Sequence, residues 1–230
     1  MLHLLHAPSL FNFFLDFVNY FFVVLVFYYF LRSKVIDLQL FLCLVFCTAS
    51  PFLINHYVIE WGFMPDQAKY FNQANTLRNF EFDKVGKLTT IIPSIFYAIF
   101  PIPFIETINS IAFINKCILG LTAIFLYHKR VINKFWFFLI NLWPSIVFYS
   151  SVSLKDTIIL CLLLLFAYFQ NNGNNLKSWI IVLILIPIKF LFSFILSSIL
   201  IYKFFYSQKL TNFKIILLFG IILLFVFLKR

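Results

Sequence analysis

Long apolar runs recur along this chain, and they restrict it to a few kinds of fold. The run at 10–31 contains a single charged side chain, Asp16, and comparable runs lie at 38–56 and 108–127. Each has about the 17–25 residues that an α-helix needs to cross a hydrocarbon layer about 30 Å thick. Because lipid cannot hydrogen-bond the backbone, such runs cross as helices or as a closed barrel, and the alternating pattern of barrel strands is absent. The sequence therefore predicts an all-α protein, a polytopic bundle of transmembrane helices.

Composition supports this class and argues against nucleic-acid binding. The chain is 63% hydrophobic and only 11% charged, whereas soluble domains carry about 25% charged residues. Its net charge of +10 is distributed over short basic clusters between apolar runs, the pattern of loops that fix membrane orientation. The predicted partners are therefore membrane lipids and not nucleic acid. The four cysteines fall inside apolar runs and are expected to be buried thiols; they are Cys43, Cys47, Cys117 and Cys161.

The apolar runs divide the chain into spans that we assign to one integral membrane domain, 1–230. The run at 178–206 is too long for one span, and Pro187 with Lys189 divides it into two short predicted helices. The predicted spans are about 10–31, 38–56, 108–127, 135–150, 155–169, 178–188 with 190–206, and 213–228.

Basic clusters set the predicted orientation. The strongest, His128-Lys-Arg-Val-Ile-Asn-Lys134, predicts a cytoplasmic loop, and so do Arg32 and Lys34. Counting spans backwards then places the polar tract at 57–88 outside. The number of crossings agrees with both cytoplasmic loops only if the segment 89–105, which three prolines interrupt, does not cross the membrane. We predict that this segment is a re-entrant or interfacial helix, so that 57–105 forms an outer loop of amphipathic and re-entrant helices after the second span.

Asp66 is the main candidate for chemistry in the outer loop. It follows Pro65 and opens an amphipathic stretch that includes Tyr70. A proline and an acid also suit the first turn of any helix, so this pattern has a purely structural interpretation. The functional interpretation is a carboxylate whose partial desolvation at the membrane surface raises its pKa and makes it a base. Glu60, beside Trp61, is the second candidate.

Lysines near the predicted outer boundary are candidates for binding a phosphate. Lys189 lies between two strongly apolar stretches, where a charge is a functional hypothesis by default. Lys155 and Asp156 open a span, and Ser153 three residues before Asp156 resembles the cap of a capping box. Lys116, inside an apolar run, raises the same question more weakly. Asp16 is expected at the membrane interface.

An ordered set of these features resembles the GT-C superfamily of membrane glycosyltransferases, which take a sugar from a polyprenyl-phosphate carrier on the outer face. The resemblance covers roughly 55–206. Two features depart from the family pattern, since an extra apolar run precedes the loop and the chain is shorter than most members. A compact member, a partner-dependent subunit or a truncated reading frame would each account for them. The features are Asp66-Gln-Ala-Lys-Tyr70, the proline-broken 89–105, the basic turn Tyr127-His-Lys-Arg130, Trp143-Pro-Ser-Ile-Val-Phe-Tyr-Ser-Ser151, Lys155-Asp156 and Lys189.

The resemblance implies roles for these residues. Asp66, with Glu60 as second candidate, is expected to act as general base or to help bind a divalent metal ion. Lys189 and Lys155 are expected to contact the carrier phosphate, with Tyr70 and Asp156 in support. The resemblance implies three kinds of partner: a lipid-linked sugar donor, membrane lipids and further subunits. The implied location is the bacterial inner membrane.

Two other functions fit the sequence pattern. A polysaccharide polymerase also handles lipid-linked sugars outside the membrane. A transporter or flippase would need charged residues along a path through the bilayer, and the sequence offers mainly Lys116 and Lys189. A non-catalytic membrane subunit is the remaining alternative.

Overall fold

The computed structural model describes residues 10–58, 64–81 and 88–206, and the prediction of an all-helical fold is confirmed for them. These residues form ten α-helices and one short π-helix, with no strand among them. The chain divides into two compact units, Met1–Tyr168 and Phe169–Arg230. Glu60 and the predicted span at 213–228 lie outside the described residues.

The helices follow the predicted order of spans. They are α1 Leu10–Arg32, α2 Leu38–Leu53, a π-helix Ile54–Val58, α3 Pro65–Arg78, α4 Leu88–Ile99, α5 Ile108–His128, α6 Lys134–Leu142, α7 Pro144–Ser151, α8 Asp156–Asn171, α9 Asn175–Ile188 and α10 Phe190–Tyr206.

Length separates these helices into two groups. Among the described residues, α1 and α5 are long and apolar enough to cross a membrane. The helices α2, α8, α9 and α10 are apolar but have only 14–17 residues, and α2 continues directly into the π-helix. With 12 residues, α4 is about 18 Å long, too short to cross. The crossing of the shorter helices stays a prediction.

The predicted span at 135–150 is not one helix, and that prediction is wrong. It divides into α6 and α7 at Trp143, whose φ of −59° and ψ of 124° are not helical. Pro144 is the cause, because its ring disfavours helical geometry in the preceding residue and it has no N–H to donate. As the first residue of α7, Pro144 starts a new helix.

Two turns of the same design close the end of the first unit that we call the basic end, residues 32–37 and 128–134. At α1, Val35 N donates to Phe30 O and Lys34 N donates to Leu31 O. At α5, Val131 N and Arg130 N make the equivalent bonds to Leu126 O and Tyr127 O. This is the Schellman ending, in which the residue after the cap is left-handed. Lys34 has φ 58° and Arg130 has φ 57°.

Asx caps then start the next helix in each turn and join the two turns. Asp37 Oδ1 accepts from Leu40 N at the start of α2, and Asn133 Oδ1 accepts from Trp136 N at the start of α6. Asp37 also forms a salt bridge with Lys134. Both basic turns therefore lie at the same end of the bundle, as the orientation argument requires.

The opposite end of the first unit, which we call the polar end, contains a buried hydrogen-bond network. Asp16 accepts from Thr107 Oγ1 and, at 2.7 Å, from Asn109 Nδ2. Asn55 Nδ2 donates to Asn109 Oδ1 at 2.7 Å and to Ser151 O at 2.9 Å. Asp16 is 4% exposed, so it is buried among the helices, and its predicted depth at the membrane interface stays a prediction. This network joins α1, the π-helix, α5 and α7 at one end.

The helices of the first unit connect these two ends. The 21 residues of α5, about 31 Å of helix, run from Asn109 at the polar end to His128 at the basic end. Gly120, midway along α5, allows close packing, because a Cβ there would lie 2.7 Å from Phe27 Cε1 of α1. Helix α8 begins at Asp156 at the polar end. Towards its other end, the ring centroid of Tyr168 lies 5.1 Å from that of Phe125 in α5.

The second unit contains a pair of helices broken where the sequence predicted. Here α9 ends at Ile188 and α10 begins at Phe190. Lys189 between them has φ −154° and ψ 85°. Lys203 Nζ donates to Gln170 O at 3.1 Å, which connects the end of α10 to the residues before α9.

Candidate functional site

The first turn of α3 carries Asp66 in an open position. Pro65 occupies the first turn of the helix, as expected of a residue that has no N–H to satisfy. Asp66 Oδ1 accepts from Lys69 Nζ at 2.7 Å, and the two side chains are 59% and 62% exposed. The protein itself therefore does not bury this carboxylate, which is paired with a cation of its own helix; its desolvation at a membrane surface stays a prediction.

One turn further along, Tyr70 is buried. It is 4% exposed, and its ring lies 6.5 Å from the ring of Tyr97 in α4. Burial, followed by the negative charges of Asp66 and Asp156, raises the pKa of Tyr70 to about 12. The Tyr70 hydroxyl is therefore protonated at neutral pH, which makes it a hydrogen-bond donor and not a base.

The segment 150–156, which we call the corner, contacts the beginning of α3. Gln67 is buried, and its Oε1 accepts from Ser153 N at 3.2 Å. The Ser153 hydroxyl donates to Ile108 O at the start of α5. Since α8 begins at Asp156, Ser153 does not cap it, and the predicted capping box is wrong. Ser153 instead joins α5 to the corner.

A second pair of buried side chains, Asn115 and Tyr97, binds the backbone of the corner. Asn115 Nδ2 donates to Val152 O and to Leu154 O, each at 3.0 Å. The Tyr97 hydroxyl donates to Asn115 Oδ1 at 3.1 Å and to Leu154 O at 2.8 Å. The backbone of the corner is thereby fixed against α5 and α4 just before Lys155 and Asp156.

A groove of about 180 Å³ opens beside the corner, between α7 and α8. Asp156 and Ser150 line it together with Tyr149 and Thr157. Behind Ser150 lies Lys116, which is 4% exposed and donates to Ser150 Oγ at 2.7 Å and to Val147 O at 3.1 Å. The groove thus has an exposed carboxylate at its wall and a buried lysine amine behind it.

The structure brings some of the predicted site residues together. The negative charges of Asp66 and Asp156 both contribute to the raised pKa of Tyr70, after burial. Lys155 is partly exposed beside Asp156 in the corner. Lys189 is exposed in the second unit, and its predicted phosphate contact stays a prediction.

Within the described ranges, no three His, Cys, Asp or Glu side chains gather as ligands for a metal ion. Asp66 and Asp156 are the carboxylates near Tyr70, and they are the residues that could contribute to such a site. The four cysteines are buried and carry free thiols.

Sequence reasoning missed the residues that position this site. Gln67, Tyr97 and Asn115 make the contacts to the corner. An amide inside an apolar helix was the available signal, since buried polar groups must find partners. The partners lie 86, 57 and 37 residues away, respectively, and a single sequence does not reveal them.

Comparison of the chain with protein-family models, with curated proteins and with solved structures found no match. The function must therefore be argued from the geometry of the polar end.

Proposed function

We propose that this chain is a polytopic integral membrane protein whose basic end faces the cytoplasm and whose polar end faces outward. Two helices long enough to cross support insertion. The positive charge concentrated in the turns at one end supports the orientation. The exposed aromatic side chains of α1, among them Phe11, Phe13 and Tyr29 at 58–67% exposure, are explained if lipid covers them. The implied location is a bacterial inner membrane.

We propose further that the protein transfers a sugar from a polyprenyl-phosphate donor to an acceptor on the outer face. One observation carries this proposal: the Gln67–Ser153 hydrogen bond fixes α3 to the corner. The first turn of α3, with the exposed Asp66, is thereby held to the segment that ends in the exposed Asp156, and both carboxylates contribute to the raised pKa of the buried Tyr70. A pair of carboxylates with a neutral hydroxyl donor suits displacement at an anomeric carbon.

In the proposed reaction, the acceptor hydroxyl attacks the anomeric carbon of the donor and forms the new C–O bond. The bond from that carbon to the phosphate oxygen breaks, and polyprenyl phosphate leaves with the electron pair. Asp66 takes the proton of the acceptor hydroxyl as general base. Cations near the carrier phosphate stabilise the charge that develops there. We assign this role to Lys189 and Lys155, of which Lys155 belongs to the same segment as Asp156.

The test is transfer of labelled sugar from a polyprenyl-phosphate donor by the purified protein in lipid nanodiscs. Asp66→Asn should lower the rate by at least about 100-fold, the usual contribution of a general base. Glu106→Gln is the matched control, because it makes the same change at an exposed acid just before α5 and should keep full activity.

Two outcomes would contradict the proposal. Full transfer by Asp66→Asn would remove this carboxylate from the reaction. Absence of transfer by the unaltered protein with every polyprenyl-phosphate sugar tried would exclude the activity itself. Circular dichroism and size-exclusion elution of both variants check that insertion and folding are unchanged.

A further inference from the structure

The basic end presents a groove that the proposed sugar transfer does not use. It has a volume of about 650 Å³ and is formed by both basic turns. Val35 contributes from the first turn, and Tyr127, His128, Arg130, Asn133 and Trp136 contribute from the second. The salt bridge between Asp37 and Lys134 holds the two turns side by side, so the groove is a fixed feature of the fold.

The charge around this groove is strongly one-sided. The two turns contain five lysine or arginine residues, Arg32, Lys34, Lys129, Arg130 and Lys134, together with His128. Their one acid is Asp37, and Lys134 already neutralises it: this pairing lowers the pKa of the Asp37 carboxyl. A ligand that matches the groove must therefore be anionic.

The backbone shows that the cations at the groove are kept at a conformational cost. Lys34 and Arg130 both have positive φ, at 58° and 57°, a region where glycine is the relaxed choice. The two turns are similar in sequence, Arg32-Ser-Lys-Val-Ile-Asp37 and His128-Lys-Arg-Val-Ile-Asn133, and both place a long cation at this position. A Schellman ending needs a residue that tolerates positive φ at this position, but it does not need a positively charged side chain.

Exposed aromatic side chains next to the groove indicate that its ligand also has an apolar part. Trp136 is 51% exposed and lines the groove, and Phe135 beside it is 66% exposed. Tryptophan with tyrosine at the level of lipid headgroups is typical of the membrane boundary. A free phosphate ion would not use these surfaces, whereas acyl chains would cover them.

We propose that this groove binds the phosphate headgroup of an anionic phospholipid in the cytoplasmic leaflet, with Arg130 as the cation that lines it and Lys34, next to the lining residue Val35, as a second cation at its edge. The proposal rests on the membrane insertion inferred above but not on sugar transfer. Cationic side chains near a bilayer surface attract anionic lipid, and the guanidinium of Arg130 can donate two parallel hydrogen bonds to phosphate oxygens.

The test compares the thermal unfolding of the detergent-solubilised protein with added lipids. A ligand present at about 100 times its Kd should raise the Tm by about 5 °C for a chain of this length. Phosphatidylglycerol should produce that rise and phosphatidylcholine should not. Glycerol 3-phosphate, which has the phosphate without acyl chains, should also leave the Tm unchanged.

The variants are chosen so that misfolding cannot imitate the expected result. The double variant Lys34→Gly with Arg130→Gly relieves both left-handed residues, so the lipid-free Tm should be maintained or raised. The rise with phosphatidylglycerol should be lost. Lys177→Gln is the control, since it removes one exposed cation outside the groove and should keep the full rise. Arg130→Gln, which removes the charge but keeps an unbranched polar side chain, should reduce the rise at least by half.

Several results would overturn the proposal. It fails if the double glycine variant responds to phosphatidylglycerol as the unaltered protein does, or if Lys177→Gln loses the response equally. An equal rise with phosphatidylcholine would exclude selectivity for charge, and an equal rise with glycerol 3-phosphate would identify a free phosphate site instead. No sugar donor is present, so these outcomes are independent of the transfer assay.

Discussion

Replacement of Asn115 by leucine should separate the corner from α5. Asn115 is fully buried and makes three hydrogen bonds: it donates to Val152 O and Leu154 O at 3.0 Å and accepts from the Tyr97 hydroxyl at 3.1 Å. Leucine has the same number and branching of side-chain heavy atoms, so the change removes the hydrogen bonds and leaves no cavity. Both corner carbonyls keep one donor, since Leu154 N still donates to Val152 O and the Tyr97 hydroxyl still donates to Leu154 O.

The size of the effect follows from these contacts. A lost hydrogen bond that strands a buried partner costs about 1–3 kcal/mol in soluble proteins. Interhelical bonds in membranes average about 0.6 kcal/mol. Three bonds of intermediate strength give a loss of about 2–4 kcal/mol, part of which the surviving Tyr97 bond offsets. For a chain of this length that corresponds to a Tm lowered by about 5–12 °C.

Reversible unfolding in mixed micelles, followed by tryptophan fluorescence and circular dichroism, measures the loss. The same variant should reduce sugar transfer, because the corner carries Asp156 and Lys155. A free energy of unfolding within about 0.5 kcal/mol of the unaltered protein, the range of an ordinary surface substitution, would refute the account of how the corner is held.

Three further predictions concern the interior of the first unit. Lys116→Met should leave the free energy of unfolding within about 1 kcal/mol or raise it, since a buried lysine is replaced by an apolar side chain of similar length and Ser150 keeps its bond to Ile146 O. Unfolding in micelles measures this free energy, and a loss above about 3 kcal/mol would contradict the prediction. Gly120→Ala should lower the free energy of unfolding by about 1 kcal/mol, because the clash with Phe27 outweighs the gain in helix propensity. Adding Phe27→Leu to this variant should restore the stability, and additive losses from the two substitutions would argue against this contact. The folded protein favours neutral Tyr70, whose pKa is raised to about 12. The contribution of this protonation to the free energy of unfolding is therefore complete below pH 10 and is lost as the pH rises towards 12. The Tm of the unaltered protein should fall relative to that of Tyr70→Phe in this window, and parallel curves of Tm against pH would contradict the prediction.

Much of the helix pattern was predictable because it depends on local composition. The bounds of α1, α2 and α5 match the predicted spans within a few residues, since the basic turns and Asx caps that delimit them are visible in the sequence. Lys189 also divides α9 from α10 as predicted. The division at Trp143 was missed, although Pro144 was visible, because proline inside an apolar run is also compatible with a kinked but continuous helix.

The site was less predictable because its contacts join distant parts of the chain. The burial of Asp16 among the helices was not predicted, because Thr107 and Asn109, which supply the hydrogen bonds that permit it, lie more than 90 residues away. The position of Asp66 in the first turn of α3 followed from Pro65. Its exposure did not, because this depends on how α3 lies against the corner.

The central claim is that the two ends of the first unit lie on opposite sides of a membrane. Labelling of single introduced cysteines with a membrane-impermeant maleimide tests it most directly. The background is favourable because all four native thiols are buried. Asn72, exposed on α3, and Lys129, exposed in the second basic turn, are the sites to replace. The account predicts that Asn72→Cys is labelled in intact cells and that Lys129→Cys is labelled only after permeabilisation. Labelling of both from outside, or of Asn72→Cys only after permeabilisation, would contradict it.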